Sequence, residues 1–181
     1  MRLTLTTAQK QAVKKIHRNM DNANPFKGKV RIQNDHVICT DSHRVLFFAL
    51  KNRVPDGVYD IGDEVIALTE KQDQYITLKD LRSIMLMTGK SFTTYKDQLA
   101  SDLERVMDFS SSGWHIAHKY IHQLGDGQLT CFYQDGFKPV VVTDGILTWA
   151  IMLRKGAPVP DVKKESRTLE DLIGEVKYTE D

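Results

Sequence analysis

Apolar side chains recur every three or four residues near the start of the chain, which is the pattern of an amphipathic helix. Thr6 and Gln9 have the spacing of a capping box, so the helix is predicted to begin at Thr6 or Thr7. The segment LTLTT before it alternates and predicts a short strand. The apolar face of the helix consists of Ala12, Val13, Ile16 and Met20.

Three strand-like segments follow this helix. They read KVRIQN, HVICTD and HRVLFFALK, and they are rich in β-branched and aromatic residues. Asn34 and Asp35 predict a turn between the first two segments, and residues 54–57, with the sequence VPDG, predict another turn. Residues 3–53 are therefore predicted to run β-α-β-β-β.

The middle of the chain, residues 54–112, has a weaker pattern. VYDI and EVIAL predict short strands, and Thr77 with Asp80 predicts a second capped helix whose inward residues include Leu78 and Leu81 and which ends near Gly89. Between residues 90 and 112, FTTY favours a strand, whereas DLERVM fits either a strand or a helical turn.

The order of elements repeats in residues 113–154. WHIAHKYIHQL predicts a strand entering a short helix, and QLTCFYQ, FKPVVVTD and ILTWAIML predict an antiparallel meander. The sequence thus predicts an α+β domain over 1–155, with two β-α-β-β-β units at about 3–53 and 113–154 and antiparallel sheets. Residues 156–181 form a tail with a predicted short amphipathic helix, whose apolar positions are Leu169, Leu172, Ile173 and Val176.

Composition excludes several classes of protein. The 181 residues are 41% hydrophobic and 27% charged, which is too apolar for a disordered chain. No apolar stretch is long enough to cross a bilayer and no secretory signal is visible, so we expect no membrane association and a cytoplasmic location. Cys39 and Cys131 lie in apolar runs without metal-site spacing and are expected to be buried free thiols.

The net charge of +1 hides a basic N-terminal third. Residues 1–60 carry eleven basic and five acidic side chains. Lys10, Lys14 and Arg18 recur every four residues along the first helix and are joined by Lys15. Such a row can contact nucleic-acid phosphates, although a basic helix face is more often simply solvated.

Enzyme chemistry finds little support in the sequence. Nucleotide-binding glycine motifs, serine-hydrolase elbows and HExxH are missing. His118 and His122 are spaced as two metal ligands but lack further ligands nearby, so neither a metal nor a cofactor is predicted. Residues 40–44 place Ser, His and Asp side by side, whereas a catalytic triad converges from separate elements. The plain interpretation is a polar turn between two core strands.

The segment TDSHRV, residues 40–45, resembles the ATDGHRL segment of bacterial sliding clamps, the β subunit of DNA polymerase III. Its flanks, KVRIQNDHVICTD before it and VLFFAL after it, are similar in kind to the clamp strands. Residues 115–154 resemble the closing segment of the clamps, with a Lys-Tyr helix, a strand containing Lys-Pro-Val and an apolar strand ending near Met and Arg. Together the two matches cover about 90 residues in the family's order.

The chain departs from the family in three respects. Ser42 replaces the motif's glycine, and Leu153 follows Met152 where the family has proline. The clamps have three domains, each of two β-α-β-β-β units, whereas this chain has room for one such domain plus extras. A truncated or phage-encoded relative would account for that length.

The resemblance implies a non-enzymatic clamp-like protein of DNA replication that has no cofactor and forms a homo-oligomer. It implies that replication proteins such as a polymerase bind through a peptide pocket, and that the first helix and the 115–124 helix face the DNA backbone. A regulatory or inhibitory interaction module on the same fold, without DNA binding, is the alternative. The implied pocket residues are Thr40, Ser42, His43, Arg44, Val45 and Met152, and the implied DNA contacts are Lys10, Lys14, Lys15 and Arg18.

Overall fold

Antiparallel strand pairing organises the chain. The computed structural model describes residues 3–18, 20–61, 66–68, 75–84, 90–107, 114–134 and 139–155. The helices in these ranges are α1 (Thr7–Arg18), α2 (Leu78–Ile84), α3 (Lys96–Met107) and α4 (His118–Ile121). The strands there are β1 (Lys29–Gln33), β2 (His36–Thr40), β3 (Arg44–Ala49), β4 (Gly57–Ile61), β5 (Ile66–Leu68), β6 (Lys90–Thr94), β7 (Trp114–His115), β8 (Leu129–Tyr133), β9 (Val140–Thr143), β10 (Thr148–Ile151) and β11 (Arg154–Lys155).

Nine of the described strands form one sheet in the order β5-β4-β1-β2-β3-β10-β9-β8-β6, and β7 pairs separately with β11. Antiparallel pairing of β3 with β10, which sets Val45 opposite Ala150, stands at the centre. From β3 the sheet continues through β2, β1, β4 and β5, and from β10 it continues through β9, β8 and β6. This predominantly antiparallel α+β architecture confirms the predicted class.

The β1–β2 hairpin closes through the two residues predicted to form a turn. Gln33 pairs with His36, and Asn34 and Asp35 have φ angles of 51° and 58°. Two consecutive left-handed residues match the right-handed twist of the flanking strands, and Asn and Asp tolerate that conformation better than most side chains.

The two faces of the sheet bury separate apolar clusters, because successive strand residues point to opposite faces. Helices α1, α3 and α4 cover one face, where Ile16, Leu46, Leu103 and Ile151 are buried together. Helix α2 covers part of the other face through Leu78 and Leu81. That second cluster consists of Ile38, Val45, Leu78, Leu81, Val141 and Ala150.

Both predicted capping boxes are present. Gln9 N–H donates to Thr6 Oγ1 at 3.1 Å, and Thr6 N–H donates to Gln9 Oε1 at 3.0 Å. At α2, Asp80 N–H donates to Thr77 Oγ1 at 3.2 Å and Thr77 N–H donates to Asp80 Oδ2 at 3.0 Å. Each box satisfies backbone donors that the first turn of a helix leaves without partners.

One sequence-based assignment is corrected, and one open alternative is decided. Residues 3–6 form no strand, so the segment LTLTT is not the first strand of a unit. DLERVM belongs to helix α3, where Leu99 and Leu103 are fully buried. A spacing of four between these leucines was the helical signal, and the weak alternation of the surrounding residues obscured it.

Two further elements lie next to the second predicted unit and precede it in the chain. Strand β6, which pairs with β8, and helix α3, which packs against α4, precede residue 113. A second unit that begins at 113 therefore omits two of its neighbouring elements. The division into a domain over 1–155 and a tail stays a prediction, because residues 156–181 lie outside the described residues. Gly89, the predicted end of the second helix, lies outside them too.

Both cysteines are buried free thiols, as the sequence predicted. Burial raises the pKa of Cys131 to about 12 and that of Cys39 still further, so neither supplies a thiolate near neutral pH. In the described part of the chain, no helix is long and apolar enough to cross a membrane.

Candidate functional site

A cavity of about 450 Å³ lies where β2, β3 and β10 meet the segment that leads into α2. The six residues implied by the resemblance, from positions 40–45 and 152, all line it. The cavity also has walls that the sequence did not indicate. Its lining residues are Phe26, Thr40, Ser42, His43, Arg44, Val45, Tyr75, Ile76, Thr77, Asp80, Pro139, Ala150 and Met152.

The β2–β3 turn is fixed by its own side chains. Asp41 Oδ1 accepts hydrogen bonds from the N–H groups of His43 and Arg44, each at 3.0 Å. Thr40 Oγ1 accepts from Ser42 N–H at 3.1 Å and donates to the carbonyl of Arg44 at 2.8 Å. These bonds leave the side chains of Ser42 and His43 exposed at the rim of the cavity.

Ser42 has a left-handed backbone conformation, which glycine, the residue at this position of the clamp segment, adopts more easily. Its φ angle is 79°, in the left-handed region that side chains with a Cβ adopt at a cost. Ser42 therefore holds this turn at a cost in backbone strain.

Pairing of β3 with β10 brings Met152 to the same place. Met152 N–H donates to the carbonyl of His43 at 3.0 Å, which extends the ladder beyond the Ile151–Arg44 pair. Val45 and Ala150, opposite each other in register, contribute to the lining. Val45 is 7% exposed and Met152 is half-buried, so both belong partly to the core and partly to the cavity surface.

Arg44 lines the cavity, but its guanidinium extends to the opposite face of the sheet, which α1, α3 and α4 cover. It lies 4.5 Å from the ring centroid of Tyr120 and 5.1 Å from that of Trp149, and the side chain is 1% exposed. Nε binds Asp41 Oδ2 at 3.0 Å, and Nη2 donates to the carbonyl of Lys15 at 3.3 Å. The charge of Arg44 therefore supports the turn from within the protein, and Arg44→Glu would disrupt the fold rather than a ligand contact alone.

Sequence analysis did not assign the second wall to the cavity. Tyr75, Ile76, Thr77 and Asp80 approach from about 30 residues away. Thr77 and Asp80 were predicted only as a capping box, and no motif marks Tyr75 or Ile76. Backbone and hydroxyl hydrogen bonds from Thr77 hold the pKa of Asp80 below its ordinary value, so this rim carboxylate is charged at neutral pH. Ala150 could have been found, because strand alternation sets it beside Met152 on the face that Val45 shares.

The basic row on α1 is divided by its environment. Lys14 and Arg18 are exposed, whereas Lys10 and Lys15 are half-buried. Lys15 Nζ donates to the carbonyl of Gln123, just after α4, at 3.3 Å. The helix therefore offers Lys14 and Arg18 to solvent and uses Lys15 to hold the 118–124 segment.

The arrangement of the described residues supports neither a catalytic triad at residues 40–44 nor a metal site at His118 and His122. Asp41 gives its carboxylate to Arg44 and to backbone donors, which leaves it unsuited to orient His43 as a base. The rings of His118 and His122 are 6.4 Å apart, and within the described ranges no three potential ligand side chains cluster as a metal site would require.

The chain is similar in structure to bacterial sliding clamps. The beta subunit from DNA polymerase of Streptococcus pyogenes aligns over 86% of this chain and 66% of its own, with a TM-score of 0.53 and 11% identity. The DNA polymerase III beta subunit of Thermotoga maritima aligns over 90% and 66%, with a TM-score of 0.52 and 9% identity. The sliding clamp of Bartonella birtlesii, solved bound to griselimycin, aligns over 85% and 66%, with a TM-score of 0.51 and 10% identity.

No protein-family model matches the chain, and no curated protein matches its sequence. The chain covers slightly less than two thirds of the clamp subunits named above. At identities near 10%, the likeness establishes a clamp-like fold and leaves function to the residues of the site.

The buried Asp41–Arg44 pair gives the first prediction. Asp41→Ala should lower the free energy of unfolding by about 3–5 kcal/mol, because it leaves a buried guanidinium uncompensated and removes the side-chain acceptor of two backbone N–H groups. Urea denaturation measures the loss. Asp126→Ala, which breaks the exposed contact with Lys96, is the matched control and should change stability little. Equal effects of the two variants would contradict a structural role for the buried pair.

Strain at Ser42 gives the second prediction. Ser42→Gly should raise the free energy of unfolding by about 0.5–1 kcal/mol, the relief of a left-handed residue less the added freedom of glycine in the unfolded chain. Ser42→Ala retains the Cβ atom and should give no such gain in the same denaturation assay. If Ser42→Gly is less stable than the wild type, the serine side chain must contribute more than the strain costs.

Proposed function

We propose that this chain is a non-enzymatic, sliding-clamp-like protein of DNA replication that binds short hydrophobic segments of replication proteins, such as a polymerase, in the cavity beside the β2–β3 turn. One observation carries the proposal. Five of the six residues at positions 40–45 line a single cavity with Met152, more than 100 positions away, in a chain with a clamp-like fold.

The lining suits a peptide of mixed character. Val45, Ala150 and Met152 form an apolar side, and Phe26 and Ile76 add apolar surface from the opposite wall. Exposed Ser42 and His43 can fix the direction of a bound backbone through hydrogen bonds. An apolar groove with a few convergent polar groups is the common form of a small-ligand or peptide site.

Contact with the DNA backbone is the second half of the proposal. Helices α1 and α4 lie on the same face of the sheet, joined through Lys15 and the Gln123 carbonyl. Lys14 and Arg18 are exposed on α1 and Lys119 on α4, so cations from two helices are available to phosphates. We further propose that several copies assemble, as the resemblance to the clamp family implies.

An interaction module without DNA binding is the competing function. The engagement of Lys15 with Gln123 favours it, since that bond holds one member of the basic row inside the protein. A protein that uses only the cavity would show peptide binding without salt-dependent binding of duplex DNA. The two functions therefore differ in the outcome of the DNA experiment below.

The cavity gives the third prediction. A hydrophobic pentapeptide or hexapeptide of the clamp-binding type should bind with a micromolar Kd, which corresponds to a binding free energy of about −8 kcal/mol. Calorimetry measures this affinity. Met152→Asp should weaken binding at least about tenfold, because a carboxylate in an apolar site must lose water. Ile146→Asp, at a hairpin tip that is 64% exposed and remote from the lining, is the control and should bind as the wild type does. If the folded wild-type protein gives no heat of peptide binding, the similarity to the clamps is one of fold only.

The exposed cations of α1 give the fourth prediction. Lys14→Glu with Arg18→Glu should weaken non-specific duplex binding. It should also make the negative slope of log K against log salt shallower, by about 0.9 for each phosphate that the protein no longer neutralises. Lys51→Glu with Arg53→Glu makes the same change in net charge at exposed sites after β3 and is the control. Fluorescence anisotropy across salt concentrations measures both. If the wild type fails to bind duplex even at low salt, the interaction-module function is favoured instead.

A further inference from the structure

The hydroxyl of Tyr75 lies between the ends of two strands beside the cavity. The β1–β2 register pairs Arg31 with Ile38, and its continuation by two residues brings Lys29 opposite Thr40. At that position Thr40 N–H donates to the Tyr75 hydroxyl at 3.2 Å, and the hydroxyl donates to the Lys29 carbonyl at 3.0 Å. The side chain of Tyr75 thus stands where a direct bond between the strands would be expected.

Several contacts fix Tyr75 and the residues that follow it. The ring of Phe26 meets the tyrosine ring edge-on, with centroids 5.2 Å apart, and Arg31 Nη2 donates to the Tyr75 carbonyl at 3.2 Å. Gln33 Oε1 accepts from Leu78 N–H at 2.8 Å at the start of α2. Burial raises the pKa of Tyr75 well above its ordinary value, so its hydroxyl keeps its proton and can act as donor and acceptor together.

Tyr75 connects the two sides of the cavity through Thr40. Tyr75, Ile76, Thr77 and Asp80 form one wall, which we call the 75–80 wall. Thr40 N–H donates to the Tyr75 hydroxyl, and the hydroxyl of Thr40 stabilises the β2–β3 turn through its hydrogen bonds with Ser42 and Arg44. A movement of the tyrosine hydroxyl is therefore transmitted directly to the residue that shapes the opposite rim.

We propose that Tyr75 is a positioning residue for partner binding: its hydroxyl, inserted between β1 and β2, sets the distance between the 75–80 wall and the β2–β3 turn and thereby the affinity for a bound peptide. The inference rests on the proposed peptide-binding function of the cavity. It adds a determinant that lies outside the segments of clamp resemblance and that contacts backbone rather than a motif side chain.

Removal of the hydroxyl has a specific consequence. Thr40 N–H loses its acceptor, while the Lys29 carbonyl keeps a contact with His17 Nε2 at 3.1 Å. A buried N–H without a partner is costly, so water is expected to enter and solvate the Thr40 amide. Entry of water displaces the ring of Tyr75 and the 75–80 wall that follows it.

Tyr75→Phe tests the proposal, and Tyr59→Phe is its matched control. Tyr59 is also buried, its hydroxyl donates to the Pro55 carbonyl at 2.7 Å, and it lies outside the cavity lining. Both variants lose one phenolic hydrogen bond to a backbone carbonyl. Tyr75→Phe should weaken the hydrophobic clamp-type peptide at least about tenfold by calorimetry, whereas Tyr59→Phe should stay within about twofold of the wild type.

Amide hydrogen exchange supplies a second measurement that needs no ligand. The Thr40 amide should exchange at least about tenfold faster in Tyr75→Phe than in the wild type and should be unchanged in Tyr59→Phe. If Tyr75→Phe does not unfold cooperatively, Gln33→Met serves as the second variant, because it removes the acceptor of Leu78 N–H at the other end of the 75–80 wall. It should weaken the peptide at least about threefold.

The outcomes separate this inference from the proposed function. If the wild type binds the peptide and Tyr75→Phe binds it as Tyr59→Phe does, the positioning role is overturned and the peptide site remains. If the folded wild type binds no peptide at millimolar concentration, the peptide site itself is overturned, and the positioning role with it. Selective weakening in Tyr75→Phe, with faster exchange at Thr40, supports both.

Discussion

A buried guanidinium is the constraint on which this structure depends. Arg44 carries a charge that cannot be left uncompensated inside the protein, and its partners come from four different elements: Asp41 in the turn, the Lys15 carbonyl of α1, Tyr120 of α4 and Trp149 of β10. Satisfying this charge therefore fixes the turn, the two helices and the central strand pair relative to one another. The need to compensate the Arg44 charge is met on the face covered by α1, α3 and α4, and it determines the shape of the cavity on the other face.

The cavity exists because three structural conditions coincide. Pairing of β3 with β10 sets Val45 beside Ala150 and carries Met152 to the His43 carbonyl. The β2–β3 turn holds its left-handed residue and presents polar groups at the rim. Tyr75 then closes the opposite side by its hydrogen bonds to the ends of β1 and β2. Backbone groups supply much of this geometry, which explains how a similar fold is compatible with about 10% identity to the sliding clamps.

The two proposed activities occupy opposite faces of one sheet and share a few residues. Asp41 and Arg44 belong to the turn at the cavity, and Arg44 also touches the α1 backbone at Lys15, whose side chain holds the segment after α4. Partner binding and DNA contact would thus be built on a common rigid framework. Rigid elements of this kind hold binding groups more precisely than loops can.

The sequence by itself determined the local structure and much of one side of the site. Capping boxes at Thr6 and Thr77, the Asn34–Asp35 hairpin and the alternating strands depend on neighbouring residues, so their patterns are legible in one dimension. The TDSHRV segment and Met152 were identified through resemblance. The tertiary structure alone decided that Arg44 turns away from the cavity and that Tyr75 forms the other wall. These features depend on contacts between distant residues, and burial and long-range hydrogen bonds, which no local pattern records, determine which neighbour each side chain meets.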